Sequence, residues 1–191
     1  MTFEQLQEKL GTLSPEEWHQ HKSGGGWVNN LAKVDDTAFI GENAIVVSGN
    51  ARVSGDARVY GNAWVSGNAQ VFGDAWVSGD ARVFGNARVS GDARVYGNAW
   101  VYGNAWVFGN ARVFGDARVY GNAWEKSPLF IIGSKHSLTN AKYGHIQIGC
   151  HCQTIDWWLE NYEDVGKKEN YTAEEINEYG EYIKLFKKVG K

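Results

Sequence analysis

The residues near the carboxyl end that are most able to do chemistry are Cys150, His151 and Cys152, with His136 and His145 upstream. Thiolates and imidazoles are the usual ligands of structural zinc, which typically takes cysteine pairs separated by two to four residues. Here one residue separates the two cysteines, so the spacing of a zinc site is missing. The same spacing is too short for an ordinary disulfide. The sequence therefore predicts no metal and no cofactor, and cysteines that pack in a small domain under reducing conditions.

A second chemical candidate is the series of Asn and Asp residues that follow glycine once in every hexad from Asn50 to Asn122. Stacked carboxylates could bind calcium, but calcium-binding β-rolls use Gly-Gly-x-Gly-x-Asp repeats, which this sequence does not contain. Turn formation explains the pattern better, because Gly adopts positive φ and because Asn and Asp tolerate the left-handed region. Phosphate-binding glycine loops and nucleophile elbows are also absent from the sequence. These residues therefore predict corners rather than a metal site.

The corners belong to thirteen consecutive hexads from Val47 to Trp124, each reading Val-x-Gly-(Asn/Asp)-Ala-x. Alternation places Val and Ala on one side of a strand and the two x residues on the other. A strand this short cannot bury its apolar side alone, whereas stacked copies can. Weaker hexads continue upstream to Val28, with one extra residue near Val46 and Val47 that predicts a bulge. The sequence therefore predicts a mainly β protein built as a parallel β-solenoid.

The number of hexads in each coil is not fixed by the repeat itself. Residues 49–64 and 85–100 are identical, a period of six hexads that fits two coils of three hexads or three coils of two. The inward Val and Ala resemble those of the hexapeptide-repeat, left-handed β-helix family. That resemblance implies a single-stranded parallel β-helix with left-handed, triangular coils of three hexads. It also implies a homo-oligomer, since trimers are common in the family.

The two ends of the chain predict different structures. Capping boxes at Thr2 and Ser14 predict short helices before a glycine linker. We expect residues 1–26 to form a helical N-terminal cap and linker, 27–124 the β-helix, and 125–191 a small α+β domain. Within that last domain the patterns predict strands and then helices, at residues 129–132, 145–148, 154–165 and 172–189.

Nearly the whole chain resembles a group of bacteriophage and prophage hexapeptide-repeat proteins. The residues that carry the resemblance are the entry Gly24–Trp27, the tandem Gly-Asn-Ala-Arg-Val units, and the segments 146–150, 154–159 and 171–175. The resemblance implies a phage accessory protein that acts in the host cytoplasm, against host antiviral defences.

The outward positions of the hexads carry the most distinctive chemistry. Of 26 such sites, thirteen are aromatic, Trp124 among them, and seven are Arg. With three hexads per coil, each outward residue stacks on the residue at the same position three hexads later. Arg then alternates with Trp along the solenoid, which predicts cation–π ladders worth about 0.5–1 kcal/mol per contact. Such ladders could stabilise the solenoid, form a homo-oligomer interface, or bind a foreign partner. The candidate partner-binding residues are the ladder Trp64, Arg82, Trp100 and Arg118 with Tyr60, Tyr96 and Phe114 beside it, and the ladder Arg58, Trp76, Arg94 and Arg112 with Phe108 beside it.

Charge and hydropathy exclude several classes of partner. The formal net charge is −3, which argues against nucleic acid binding, because that function usually needs a strongly basic surface. The first ten residues lack the apolar stretch of an export signal. No segment approaches the roughly 20 apolar residues of a membrane span. We therefore expect a cytoplasmic protein without a membrane partner.

Histidine placement bears on enzymatic function, because acyltransferases of the resembled family use a His as general base beside an acyl donor. None of the five His residues lies between Val47 and Trp124, although His19, His21 or His136 could reach an intersubunit cleft. We therefore favour a non-catalytic, phage-type scaffold that binds a host protein and inhibits antiviral defence. A trimeric acyltransferase and a structural virion or assembly protein are the alternatives.

Overall fold

The computed structural model describes residues 1–46, 49–121 and 123–190, and its main body is a β-solenoid. The short strands form three parallel sheets, in which each strand pairs with the strand three positions further along the chain. Through the regular hexads each residue therefore pairs with the same position three hexads later, as Trp64 does with Arg82. One turn of the chain contains three hexads, which resolves the choice that the sequence period left open.

The three sheets are called faces A, B and C, and their strands have two or three residues each. Face A contains Trp27–Asn29, Ile45–Val46, Trp64–Val65, Arg82–Val83, Trp100–Tyr102 and Arg118–Tyr120, with Trp18–Gln20 antiparallel at its edge. Face B contains Phe39–Ile40, Arg58–Val59, Trp76–Val77, Arg94–Val95 and Arg112–Val113. Face C contains Lys33–Val34, Arg52–Val53, Gln70–Val71, Arg88–Val89, Trp106–Val107 and Ala123–Trp124.

The core of the solenoid consists of the inward Val and Ala side chains. From Ala51 to Val119 every one of them is at most 1 % exposed, and they form one continuous cluster. The stacking of coils thus buries an apolar side that a single short strand could not bury. The alternation predicted from the repeats is confirmed.

Glycine is required at the corners for two reasons, which Gly79 illustrates. Its φ is +69°, a region that side chains with a Cβ rarely adopt. A Cβ at this position would also lie 3.0 Å from the backbone N and O of Gly97 in the next coil. The following residues extend the stacking, since Asn68 Nδ2 donates a hydrogen bond to Asn86 Oδ1 at 3.0 Å. Backbone conformation and coil spacing together explain the Gly-Asn/Asp corner.

Paired residues in neighbouring coils are three hexads apart in the sequence through the regular part of the solenoid, and this separation changes by one residue at each end. Near the start, Lys33 pairs with Arg52 rather than with Ala51, which the regular spacing would give. The bulge predicted at Val46 and Val47 would account for this shift, but residues 47 and 48 lie outside the described part of the chain. Near the end, Val107 pairs with Trp124 rather than with Glu125.

The second shift corrects the outward placement predicted for Trp124. A slip by a single position moves a strand's side chains to the opposite side. Trp124 consequently joins the solenoid core at 2 % exposure, while Glu125 is exposed. The indole also meets the ring of Tyr143 edge-on at 5.2 Å. The apolar indole closes the last coil, whereas the hexad register would have buried Glu125 instead.

The N-terminal segment is only partly helical. Helix α1 (Phe3–Leu10) has the predicted capping box at Thr2. The second predicted helix is a single 3₁₀ turn, Pro15–Glu17, because the Ser14 side chain caps no backbone N–H. The chain then extends as Trp18–Gln20, so the prediction of helix through these residues is wrong.

The C-terminal domain combines a four-stranded antiparallel sheet with two helices. The predicted strands near 129–132 and 145–148 and both helices are confirmed, as are the caps at Thr154 and Thr172. The strands Ser137–Lys142 and His151–Thr154 were not predicted, because their polar residues lack a clear apolar alternation. The elements are the strands Phe130–Ile132, Ser137–Lys142, His145–Ile148 and His151–Thr154, then α2 (Ile155–Lys168) and α3 (Ala173–Val189). None of the helices in the described ranges has the length and hydrophobicity needed to cross a membrane.

Candidate functional site

The face A ladder has the predicted register, with Trp64, Arg82, Trp100 and Arg118 in successive coils. The Arg82 guanidinium carbon lies 5.6 Å from the Trp64 ring centroid and 5.3 Å from that of Trp100. The Arg118 carbon lies 4.8 Å from the Trp100 ring on its other side. These distances are within the range of cation–π attraction. The predicted alternation of guanidinium and indole is therefore present.

The face B ladder places Arg58, Trp76, Arg94 and Arg112 in successive coils, also as predicted. Here one indole lies between two cations, because the guanidinium carbons of Arg58 and Arg94 are 5.5 and 4.4 Å from the Trp76 centroid. Both flat sides of the indole are thus covered by neighbours along the solenoid axis. Its ring edge, rather than its face, is left toward solvent.

The residues beside the ladders are grouped differently from the prediction. Tyr60 and Tyr96 lie on face B, just after the strands of Arg58 and Arg94, and Tyr60 meets the Trp76 ring at 6.3 Å. They belong there because residues i and i+2 of one strand point to the same side. Phe114 is on face B as well, stacked on Tyr96 at 5.5 Å.

Phe108 lies on face C, where its ring is 4.9 Å from that of Trp106. The column beside the face A ladder was missed as a binding candidate. It consists of Phe84, Tyr102 and Tyr120, whose rings stack at 5.1 and 5.2 Å. The i to i+2 step within a strand, combined with the three-hexad step between coils, would have identified this column in the sequence.

The arginines of the solenoid make no ion pair within the described residues, where every salt bridge uses Lys or His. All seven are exposed. Stacking on an indole covers the flat side of a guanidinium group. The N–H donors lie in the plane of the group and stay available for hydrogen bonds to a partner. The ladders therefore present a surface rich in hydrogen-bond donors rather than free aromatic platforms.

Face B carries several depressions along its surface. Three adjoining depressions of about 620, 210 and 220 Å³ share Trp76 as a lining residue and follow the solenoid axis. One wall carries the corner residues Asp56, Asp74 and Asp92, which follow one another in successive coils. The face B groove, defined by these three depressions, thus has an acidic row beside its arginine row.

A second site lies in the C-terminal domain, between α2, α3 and the turn at Gly149. It is a cavity of about 60 Å³ with mainly apolar walls. Four aromatic and four aliphatic side chains line it together with polar residues at its opening; they are Trp158, Tyr162, Tyr171, Tyr179, Ile148, Val165, Ile176, Ile183, His136, Cys150, His151 and Glu169. We call it the C-terminal cavity.

Hydrogen bonds fix the polar opening of this cavity. His136 Nδ1 lies 2.6 Å from the Tyr171 hydroxyl, and His151 Nε2 lies 3.5 Å from a Glu169 carboxylate oxygen. Burial is the main cause that raises the pKa of Tyr171, and the neighbouring Tyr179 raises it further. The Tyr171 hydroxyl therefore stays protonated and neutral across the ordinary pH range.

The two cysteines lie in different surroundings. Cys150 is exposed, while the Cys152 sulfur lies 2.8 Å from the Tyr120 hydroxyl in the last solenoid coil. Burial, and then this hydrogen bond, raise the pKa of Tyr120. Across residues 1–46, 49–121 and 123–190, no group of three His, Cys, Asp or Glu has a geometry that could hold a metal ion.

The histidines considered for transferase chemistry do not line the face B groove. His19 is bonded to Asn30 Oδ1 at 2.7 Å, His21 is buried, and His136 lies in the C-terminal domain, where its Nδ1 is 2.6 Å from the Tyr171 hydroxyl. None of the residues that line the groove is a His. The groove therefore has aromatic, Arg, Asp and Ser side chains but no imidazole base.

Comparison with known proteins concerns the repeats. Residues 47–73 and 81–126 match, in overlapping segments, a family model described as "YdcK Beta solenoid repeat". No curated protein and no solved structure matches the chain significantly. The family match and the three stacked sheets agree with each other, and together they identify the chain as a β-solenoid repeat protein.

Proposed function

We propose that this chain is a non-catalytic, phage-type binding scaffold that engages a host protein through the face B groove. The observation that carries the proposal is the row of exposed guanidinium groups at Arg58, Arg94 and Arg112, which form no ion pair among the described residues. Arg is frequent among the residues that dominate binding energy at protein interfaces. Its donors suit carboxylate groups on a partner, which it binds with two parallel hydrogen bonds.

The acidic row beside these arginines supports a protein partner rather than a nucleic acid. A polyanion would gain from the arginines but would be repelled by Asp56, Asp74 and Asp92, which line the same groove. A folded protein can present both signs of charge in matching rows. Complementary rows of this kind fix register and exclude incorrect partners.

The finer architecture belongs to the same proposal. We infer left-handed, triangular coils and a homotrimer in the host cytoplasm, where the bound host protein would be a component of antiviral defence. Three sheets per turn and the Val/Ala core support the coil geometry. The aromatic column of Phe84, Tyr102 and Tyr120 on face A and the Trp106–Phe108 pair on face C leave surface for contact between subunits while face B binds the partner.

The test uses two double variants that remove the same chemistry from different faces. Trp76→Ala with Arg94→Ala removes the closest cation–π pair from the face B groove, at 4.4 Å. Trp100→Ala with Arg118→Ala removes a comparable pair from face A, at 4.8 Å. Each variant loses two cation–π contacts, worth about 0.5–1 kcal/mol apiece, together with a half-buried indole, and thermal unfolding by circular dichroism checks that both variants stay folded.

Each protein is used to capture partners from bacterial lysate, and bound proteins are identified by mass spectrometry. We expect one specific host protein with wild type and the face A variant, and at least tenfold less of it with the face B variant. Equal capture by both variants would show that face B is not the binding surface. Capture of nothing by the wild type would refute the scaffold function itself.

A further inference from the structure

The C-terminal cavity has an electrostatic character that differs from an ordinary gap in a core. No Arg or Lys lines it, and Glu169 is its one carboxylate among the lining residues. Four of its walls are the aromatic rings of Trp158, Tyr162, Tyr171 and Tyr179. An aromatic ring presents negative potential from its face. A cation would therefore be favoured inside, and an anion would be repelled.

One of these rings already binds a cation in the structure. The Lys135 ammonium lies 4.7 Å from the Tyr171 centroid, while it forms an ion pair with Glu175 at 3.3 Å. Lys135 itself does not line the cavity. The Tyr171 ring thus accepts an ammonium over its face, at a place where the Glu175 carboxylate and the Asn170 carbonyl also bind it.

The size and the aliphatic walls restrict the kind of cation. A water-sized group occupies roughly 10–15 Å³ of such volume, so a cavity of about 60 Å³ has room for at least four groups of this size. Ile148, Val165, Ile176 and Ile183 offer no hydrogen-bond acceptors to N–H groups. A primary ammonium would lose hydration against these aliphatic side chains, whereas methyl groups on the nitrogen would pack against them.

We propose that the C-terminal cavity binds a methylated ammonium group, with Glu169 at the opening as its counter-ion. Aromatic walls with one carboxylate provide the attraction, and the aliphatic floor accommodates the methyl groups. This ligand chemistry occurs in free small molecules such as choline and in methylated lysine side chains of proteins. The inference is independent of the face B groove, which lies on the solenoid.

The first experiment separates charge from shape, using the full-length protein and isothermal titration calorimetry. The probes are choline and its neutral isostere 3,3-dimethylbutan-1-ol, in which carbon replaces the charged nitrogen. We expect choline to bind about tenfold more tightly than the isostere. Equal affinities would show an apolar pocket without cation recognition and would overturn the proposal, as would the absence of choline binding.

Variants then assign the binding to this cavity. Glu169→Gln keeps the size of the side chain and removes its charge, and we expect it to weaken choline binding several-fold. Glu160→Gln is the matched control, because Glu160 is exposed on the neighbouring helix α2 and does not line the cavity. An equal effect of the two variants would indicate a general charge effect and would refute the assigned site.

The source of the group is distinguished by peptides. A short peptide with trimethyl-lysine is compared with the same peptide carrying unmodified lysine and with choline. Tighter binding of the methylated peptide than of choline would assign a protein side chain as the ligand. Tighter binding of choline would assign a small molecule. Tighter binding of the unmodified peptide would contradict the proposal.

Discussion

Replacing Trp124 tests whether this indole closes the end of the solenoid core. The side chain is 2 % exposed and belongs to the same apolar cluster as the inward Val and Ala residues. Truncation of a buried Trp to Ala usually costs about 3–5 kcal/mol, because it removes burial and leaves a cavity. We expect Trp124→Ala to lower the free energy of unfolding by about this amount.

Trp124→Phe refines the same prediction. The indole Nε1 is buried without a hydrogen-bond partner among the described residues. An unsatisfied buried donor costs about 1–3 kcal/mol, and Phe removes it while keeping an aromatic ring against Tyr143. This gain offsets part of the lost volume. The Phe variant should therefore lose no more than about 1.5 kcal/mol, which is at most half the loss of the Ala variant.

Urea unfolding, followed by circular dichroism, measures both changes from the transition midpoint and slope. The control is Trp106→Ala on the paired strand, since Trp106 is 38 % exposed and donates one hydrogen bond to Ser90 at 2.9 Å. We expect this control to lose about 1 kcal/mol. If Trp124→Ala cost no more than Trp106→Ala, Trp124 would point outward as the hexad register implies, and the reasoning would be refuted.

Three further predictions concern the corner glycine Gly79, the row of Asp residues in the face B groove, and Tyr171. Gly79→Ala should lose at least about 2 kcal/mol in urea unfolding, because the new Cβ combines an unfavourable φ with a contact to Gly97. Asp74→Asn should gain about 0.5–1 kcal/mol at low salt, because it removes repulsion from Asp56 and Asp92 about 5 Å away in adjacent coils. Tyr171→Phe should reduce the loss of stability above about pH 10. The pKa of Tyr171 is raised in the folded state, so the neutral hydroxyl stabilises the fold fully below the unfolded pKa. That stabilisation is lost as pH rises toward the folded pKa.

Each of these changes has a control or a clear contrary outcome. Gly103→Ala has a similar φ of +65°, but among the described residues no atom lies closer than 3.7 Å to the added Cβ, so an equal loss would exclude the contact as the cause. Asp80→Asn should gain less than Asp74→Asn, because Asp80 already accepts a hydrogen bond from Asn62 at 3.0 Å. An unchanged alkaline midpoint in the Tyr171→Phe protein would show that this hydroxyl does not control the transition.

The repeating unit and its two sides follow from the amino-acid sequence alone. Val and Ala at alternating positions can only be buried if the strands stack, and Gly before Asn or Asp supplies the corners. Once the coil length was fixed at three hexads, both Arg/Trp ladders followed from the spacing of the repeats. These features depend on local alternation and backbone preference, which every hexad repeats, so no distant contact was needed to infer them.

The features at the ends of the solenoid and between elements depend on tertiary contacts. The slip in register that buries Trp124 follows from closing the last coil, where an indole fits and Glu125 would not. The C-terminal cavity arises where α2 and α3 meet the turn at Gly149. Such features result from contacts between residues far apart in the chain, which the pattern of any single segment does not contain.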